Sequence, residues 1–145
     1  MRPSMMSRTV PAVVSATSAL LCAATLMAPA AGADDEFAPP FIDHTQWAKW
    51  GDLSSLRVYP TPTGREAAGT FGTGSLGDEA WTEVLAMAPE ADLPGMRDQF
   101  KCHWYLAEFG APGKTSWNLE PWRPVVDIGA MLEAGCNPGG SEEPF

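Results

Sequence analysis

The chain sets 18 acidic residues against 9 basic ones over 145 positions, a formal charge of −9. A binder of nucleic acid or of anionic lipid heads must bring cations to displace counterions, so partners of those kinds are not expected. The length suits one domain around one modest core.

The opening residues have the three parts of a secretory leader. Met1 to Arg8 carries Arg2 and Arg8 and no acid, Val10 to Met27 is apolar with small polar interruptions, and Ala28-Pro29-Ala30-Ala31-Gly32-Ala33 precedes Asp34. Ala31-x-Ala33 suits signal peptidase, which places the cut between Ala33 and Asp34. Pro11 and Pro29 bracket the apolar run, small residues dilute it, and Asp34-Asp35-Glu36 follows at once, whereas a retained span needs about 20 strongly apolar residues. Residues 1–33 therefore read as a removable signal peptide. The mature protein is expected to be secreted, in the medium or associated with the cell envelope, with no membrane insertion once the leader is gone. Leu21 before Cys22 does not suit a lipidation site, and no Arg-Arg pair points to the twin-arginine route.

Removing residues 1–33 leaves 112 of the 145 residues, and the loss of Arg2 and Arg8 takes the charge from −9 to −11. Cys22 leaves too, so Cys102 and Cys136 are the pair that remains, and in an oxidising compartment they are expected to form a disulfide. Closing a loop of about 35 residues stabilises by roughly 3 to 4 kcal/mol in the chain-entropy model. The competing use of these cysteines as metal ligands lacks a CxxC spacing and has only His44 and His103 to complete it; no metal or other cofactor is expected.

Residues 34–40 form a flexible acidic lead-in, residues 41–138 the single domain, and residues 139–145 a C-terminal tail. Packing begins near Phe41 to Trp50. Ser55 to Tyr59 alternates as a strand does and stops at the turn formers Pro60-Thr61-Pro62-Thr63-Gly64. A second extended segment is placed at Thr70 to Thr73. Asp78 to Ala88 has Trp81, Val84, Leu85 and Ala88 at helical spacing, with Ser75 and Asp78 as a capping box and Pro89 as the stop.

Pro94 to Glu108 fits two periods: Met96, Phe100, Trp104 and Ala107 suit a helix, while Phe100, Cys102, Trp104 and Leu106 alternate as in a strand. The helix is favoured, with Asp92 as its cap, Pro94 in its first turn and Gly110 at its end. Trp117 to Pro124 should be extended, because proline pushes Glu120 and Arg123 out of helical angles. Asp127 caps a short helix through Leu132 that ends at Gly135. The sum is a small α+β fold, a few short helices with short strands and one disulfide.

Gly95-Met96-Arg97-Asp98-Gln99-Phe100-Lys101-Cys102-His103, Lys114, the block Trp117 to Pro124 and Cys136-Asn137-Pro138 together resemble a family of small secreted actinobacterial domains of unknown function, with a GMxDQFxCH, WNLEPWRP and CNP pattern. The resemblance covers roughly Trp47 to Pro138 and implies an exported single domain with a cysteine pair. It lends no catalytic residues.

Among single residues, His103 is a candidate general base, with Glu120 as an orienting acid and Lys101 as a cation for developing negative charge. The plain alternative is a hydrogen-bonded histidine beside a disulfide. Lys114, Asn118, Glu120 and Arg123 fall on the face opposite Trp117 and Leu119, where they could recognise a ligand, or where Glu120 and Arg123 could pair with each other. The six tryptophans suit either a core or a stacking surface for sugars and proteins, with Trp50 or Trp122 expected to be partly exposed. Lys114, Trp117, Asn118 and Trp122 are the binding candidates. With no GxSxG elbow, P-loop, zinc-protease helix or EF-hand loop in the sequence, a binding or interaction module with an unknown protein or glycan partner is favoured. A small hydrolase or toxin using His103, Glu120 and Arg123, and a purely structural envelope protein, are the alternatives. Mass spectrometry of culture medium is expected to find a species beginning at Asp34; a full-length, membrane-retained form would overturn the leader assignment.

Overall fold

A computed structural model describes residues 36–141. The leader, its cleavage point at Ala33 and Asp34, and the last residues of the tail lie outside that range. The first described element, missed by periodicity, is a long strand, β1 (Ile42–Trp50), paired antiparallel with β2 (Leu53–Pro60). A register shift between Ile42 and His44 breaks the alternation that would have betrayed β1. The hairpin closes at Gly51, whose φ of 58° is one that glycine adopts without strain. β2 is the central strand, in which the wholly buried Leu56 and Val58 alternate with half-buried Arg57 and Tyr59. The short β3 (Trp117–Leu119) pairs with its other side, giving the antiparallel order β1-β2-β3.

The turn formers after β2 begin a helix rather than a turn. In α1 (Pro62–Ala68), Thr61 is the N-cap, its Oγ1 accepting from Gly64 N–H at 2.9 Å, and Pro62 fills the first turn, where no N–H is needed. A Cβ on Gly64 would lie 2.1 Å from the Phe41 carbonyl oxygen, so only glycine lets α1 sit against the start of the hairpin. Thr70 to Thr73, expected to be extended, is instead the link to α2. Thr73 Oγ1 donates to the carbonyls of Ala67 (2.8 Å) and Thr70 (2.9 Å), and these local bonds replace a sheet partner.

Helix α2 (Gly74–Met87) has Thr73 at its N-cap, two residues before the supposed capping serine, which leaves Ser75 inside the helix. Asp78 is occupied elsewhere: its carboxylate accepts from Lys101 and Arg97, both at 2.8 Å. The hydrogen bond from Lys101, ahead of the other causes, holds that carboxyl below its usual range. Trp81 and Val84 are buried as their spacing requires, and Pro89 ends α2 by opening a 3-10 turn, Pro89–Ala91.

The ambiguous segment is helix, α3 (Met96–Gly110). Asp92 closes the 3-10 turn instead of capping α3, and Gly95, at φ 83°, holds the N-cap place. Met96, Phe100 and Trp104 enter the main core, while Cys102 turns to a second cluster with Met131 and Cys136. After β3 the chain does not stay extended to Pro124. Arg123 N–H donates to the Glu120 carbonyl at 3.2 Å and closes a turn. Helix α4 (Ile128–Glu133) is capped by Asp127, whose Oδ1 accepts from Ala130 N–H at 2.9 Å.

The main core is aromatic. Trp104 meets Trp117 edge-on at 6.2 Å and Phe41 at 5.9 Å, and Phe100 lies 5.4 Å from Trp81 and 5.9 Å from Trp117. These rings seal one face of the sheet under α1, α2 and α3. Cys102 and Cys136, 5.5 Å apart at Cα, form a disulfide that ties α3 to the segment after α4. The result is a small α+β domain of four α-helices and one three-stranded sheet among the described residues. No described helix is long and apolar enough to cross a membrane. Reduction, or Cys136→Ala, is expected to lower stability by about 2 to 5 kcal/mol; a melting temperature unchanged in reductant would count against it.

Candidate functional site

Glu120 and Arg123 meet inside the protein. Neither side chain is accessible to solvent, and Arg123 Nε donates to Glu120 Oε2 at 2.6 Å. The second carboxylate oxygen accepts from Ser55 Oγ at 2.9 Å, on β2. Gln99 of α3 clasps the backbone of Glu120, donating from Nε2 to its carbonyl and accepting from its N–H, both at 2.9 Å. Arg123 Nη1 reaches the carbonyls of Pro138 (3.2 Å) and Gly140 (2.9 Å), and its guanidinium lies 4.6 Å over the half-buried Trp122 ring.

His103 is 4% exposed, and its Nδ1 lies 2.8 Å from the Gln99 carbonyl. The Gln99 carbonyl can only accept, so Nδ1–H donates to it. Lys101, expected near it, extends to the Gly74 carbonyl (2.7 Å) and Asp78 instead. The bond that holds His103 and those that clasp the Glu120 backbone meet at one residue, Gln99. Of the binding candidates, Trp117 is in the core and Asn118 is buried, its Oδ1 accepting from Ser116 Oγ at 2.7 Å.

His103 and Lys114 do share a cavity. A groove of about 540 Å³ runs between the C-terminal half of α3 and residues 135–137. His103, Leu106, Ala107 and Gly110 line it from α3, since three- and four-residue steps return to one helix face. Cys136 and Asn137 form the facing wall, and Lys114 closes the set after the turn at 111–114. That turn is fixed from behind: Glu108 accepts from Gly113 N–H (3.0 Å) and Arg65 (2.7 Å), and Arg65 also donates to the Thr115 carbonyl at 3.1 Å. Among the described residues lining the groove, Lys114 carries the one permanent charge.

Beside the groove, Phe109 stacks on Phe71 with centroids 5.1 Å apart, although the two rings are 49% and 86% exposed. Sequence reasoning missed this pair. Phe71 sits in a glycine-flanked link and Phe109 at a helix end, so neither belongs to a periodic pattern. The one available sign was that Phe109, unlike Phe100, falls off the buried stripe of α3. No group of three or more metal-capable side chains occurs among the described residues.

An α+β domain closed by one disulfide, with a polar knot at its centre and an apolar groove on its flank, is the class this structure defines. Residues 42–139 match the family described as "Protein of unknown function (DUF2599)", and the chain belongs to that family. It is 61% identical over 107 residues to an uncharacterized protein of Mycobacterium tuberculosis, covering 74% of this chain and 72% of the relative. An uncharacterized protein of Mycobacterium leprae is 50% identical over 103 residues, covering 71% and 83%. No solved structure matches the chain.

The buried pair yields a stability prediction. Arg123→Ala strands a carboxylate and is expected to cost about 3 to 5 kcal/mol, with most of that loss recovered when Glu120 is also made apolar. Denaturant midpoints of the single and double variants check this; a double variant as unstable as the sum of its parts would refute the pairing.

Proposed function

We propose that the chain is an exported binding module whose site is the groove between α3 and residues 135–137. The observation that carries the reading is the meeting there of an apolar concavity, His103, Lys114 and an exposed stacked phenylalanine pair. Large apolar rings left in water beside a concavity are characteristic of recognition surfaces. The volume lies within the roughly 300 to 1,000 Å³ typical of small-molecule sites. Export is supported by the leader pattern in residues 1–33 and by the disulfide, since such bonds persist in oxidising compartments.

The rival hydrolase keeps one favourable observation, a histidine in the groove wall. Against it, both Glu120 carboxylate oxygens are already committed to Ser55 and Arg123, so an orienting acid for His103 would have to come from elsewhere. Lys114 remains a contact residue in this reading, while Trp117 and Asn118 become scaffold.

The test is amide chemical-shift mapping against a mixed panel of amphiphiles, short peptides and oligosaccharides. Shifts are expected to cluster at residues 103–114 and 135–137 and to vanish in Ala107→Trp, which fills the groove. Shifts centred elsewhere, or turnover of a general hydrolase substrate that His103→Ala abolishes, would overturn the reading.

A further inference from the structure

We infer that the chain carries a second binding site, for a neutral sugar residue, in the concavity formed by Trp47, Lys49, Ser54, Glu90, Leu93 and Pro121. It shares no lining residue with the groove beside α3, and the two sites stand independently.

The concavity measures about 350 Å³ and sits toward the end of the hairpin that closes at Gly51. Its floor is a tryptophan that is already fixed in place. Trp47 and Lys49 share one face of β1, since side chains alternate along a strand; Trp47 pairs with the wholly buried Leu56 and Lys49 with Ser54. The Trp47 ring packs against the main core, and its Nε1 donates to Glu90 Oε1 at 2.5 Å. Held by packing and by that bond, a flat ring has little rotamer freedom left to lose when a ligand settles on it. Leu93, 44% exposed, and the half-buried Pro121 extend the apolar surface. A pyranose ring, with C–H bonds across its face and hydroxyls around its rim, matches a surface of this kind.

The groups around that floor select hydroxyls. Ser54 donates and accepts, Lys49 only donates, and Glu90 keeps Oε2 as an acceptor because the bond from Trp47 uses Oε1. Each sugar hydroxyl is both donor and acceptor, so it serves either kind of partner. A hydrocarbon chain would cover the same groups and leave them without partners. One cation and one carboxylate line the same concavity, so a ligand with net charge of either sign gains from one and loses to the other. With 18 acids against 9 bases, the whole protein adds repulsion against an acidic polysaccharide.

Amide chemical-shift mapping on the Ala107→Trp protein, whose groove is filled, tests this with cellotriose, maltotriose and mannotriose, and with trigalacturonate as the acidic counterpart. At least one neutral trisaccharide is expected to shift residues 47–54, 90–93 and 121; in the unsubstituted protein these shifts come in addition to the groove's own set. Trp47→Ala, with its fold checked by circular dichroism, should weaken that binding about tenfold. Glu90→Gln keeps an acceptor for Trp47 Nε1 but removes the negative charge, and should narrow the preference for the neutral over the acidic sugar about three- to tenfold. No shift at these residues from any of the three neutral sugars would overturn the inference. So would trigalacturonate binding as tightly as they do, or a short proline-rich peptide shifting these residues where the sugars do not. Because the groove is filled in the protein titrated, none of these outcomes bears on the groove.

Discussion

A carboxylate wholly removed from water must be paired, and the fold is arranged so that Glu120 always is. Its side chain joins β2 through Ser55 and the C-terminal segment through Arg123, while its backbone is clasped by Gln99 of α3. One residue thus fastens sheet, helix and chain end together. The arrangement is self-enforcing: a slip of α3 along its axis, or release of residues 138–141, would leave a buried charge or a buried amide without its partner. An apolar plug of the same volume could hold these parts equally firmly, but it would tolerate neighbouring registers that hydrogen-bond geometry does not.

The groove inherits its rigidity from that knot. Its outer wall, residues 135–137, is pinned on one side by the bond from Cys136 to Cys102 and on the other by Arg123 reaching the carbonyls of Pro138 and Gly140. Cys136 itself holds φ 68°, a left-handed conformation that a side-chain-bearing residue keeps when its surroundings over-determine it. A wall tied at both ends is preorganised, so a ligand bound there, as proposed, would not need to supply the entropy of ordering it.

How much of this the sequence disclosed follows from the range of each interaction. β2, α4 and the body of α2 were legible because their causes are local: alternation at Leu56 and Val58, the Asp127 cap, the spacing of Trp81 and Val84. α1 and β1 were not. Thr61-Pro62 opens a helix in the same letters that write a turn, and the choice falls to Gly64 fitting under the Phe41 carbonyl, a contact 23 residues apart in the chain. In α3 the strand-like alternation of Phe100, Cys102 and Trp104 has a physical origin, since the helix has two buried faces, one toward the aromatic core and one toward the disulfide. Lys114 and His103 were visible as candidates by residue type, but their sharing a cavity depends on where Cys136 brings the chain back.

The aromatic residues divide in a way that bears on function. Trp81, Phe100, Trp104 and Trp117 go to the centre, where large rings let a small domain bury much area with few residues. Residues that stabilise a fold in this way are drawn inward by the same hydrophobic force that acts on Phe71 and Phe109, yet those two stack on each other in the open. Folding alone gives no reason to keep them there: a polar residue at position 71 would remove exposed apolar surface without opening the core. Under the proposed binding role, their exposure is accounted for by a contact made outside the folded chain, beside the groove that Phe109 helps to line.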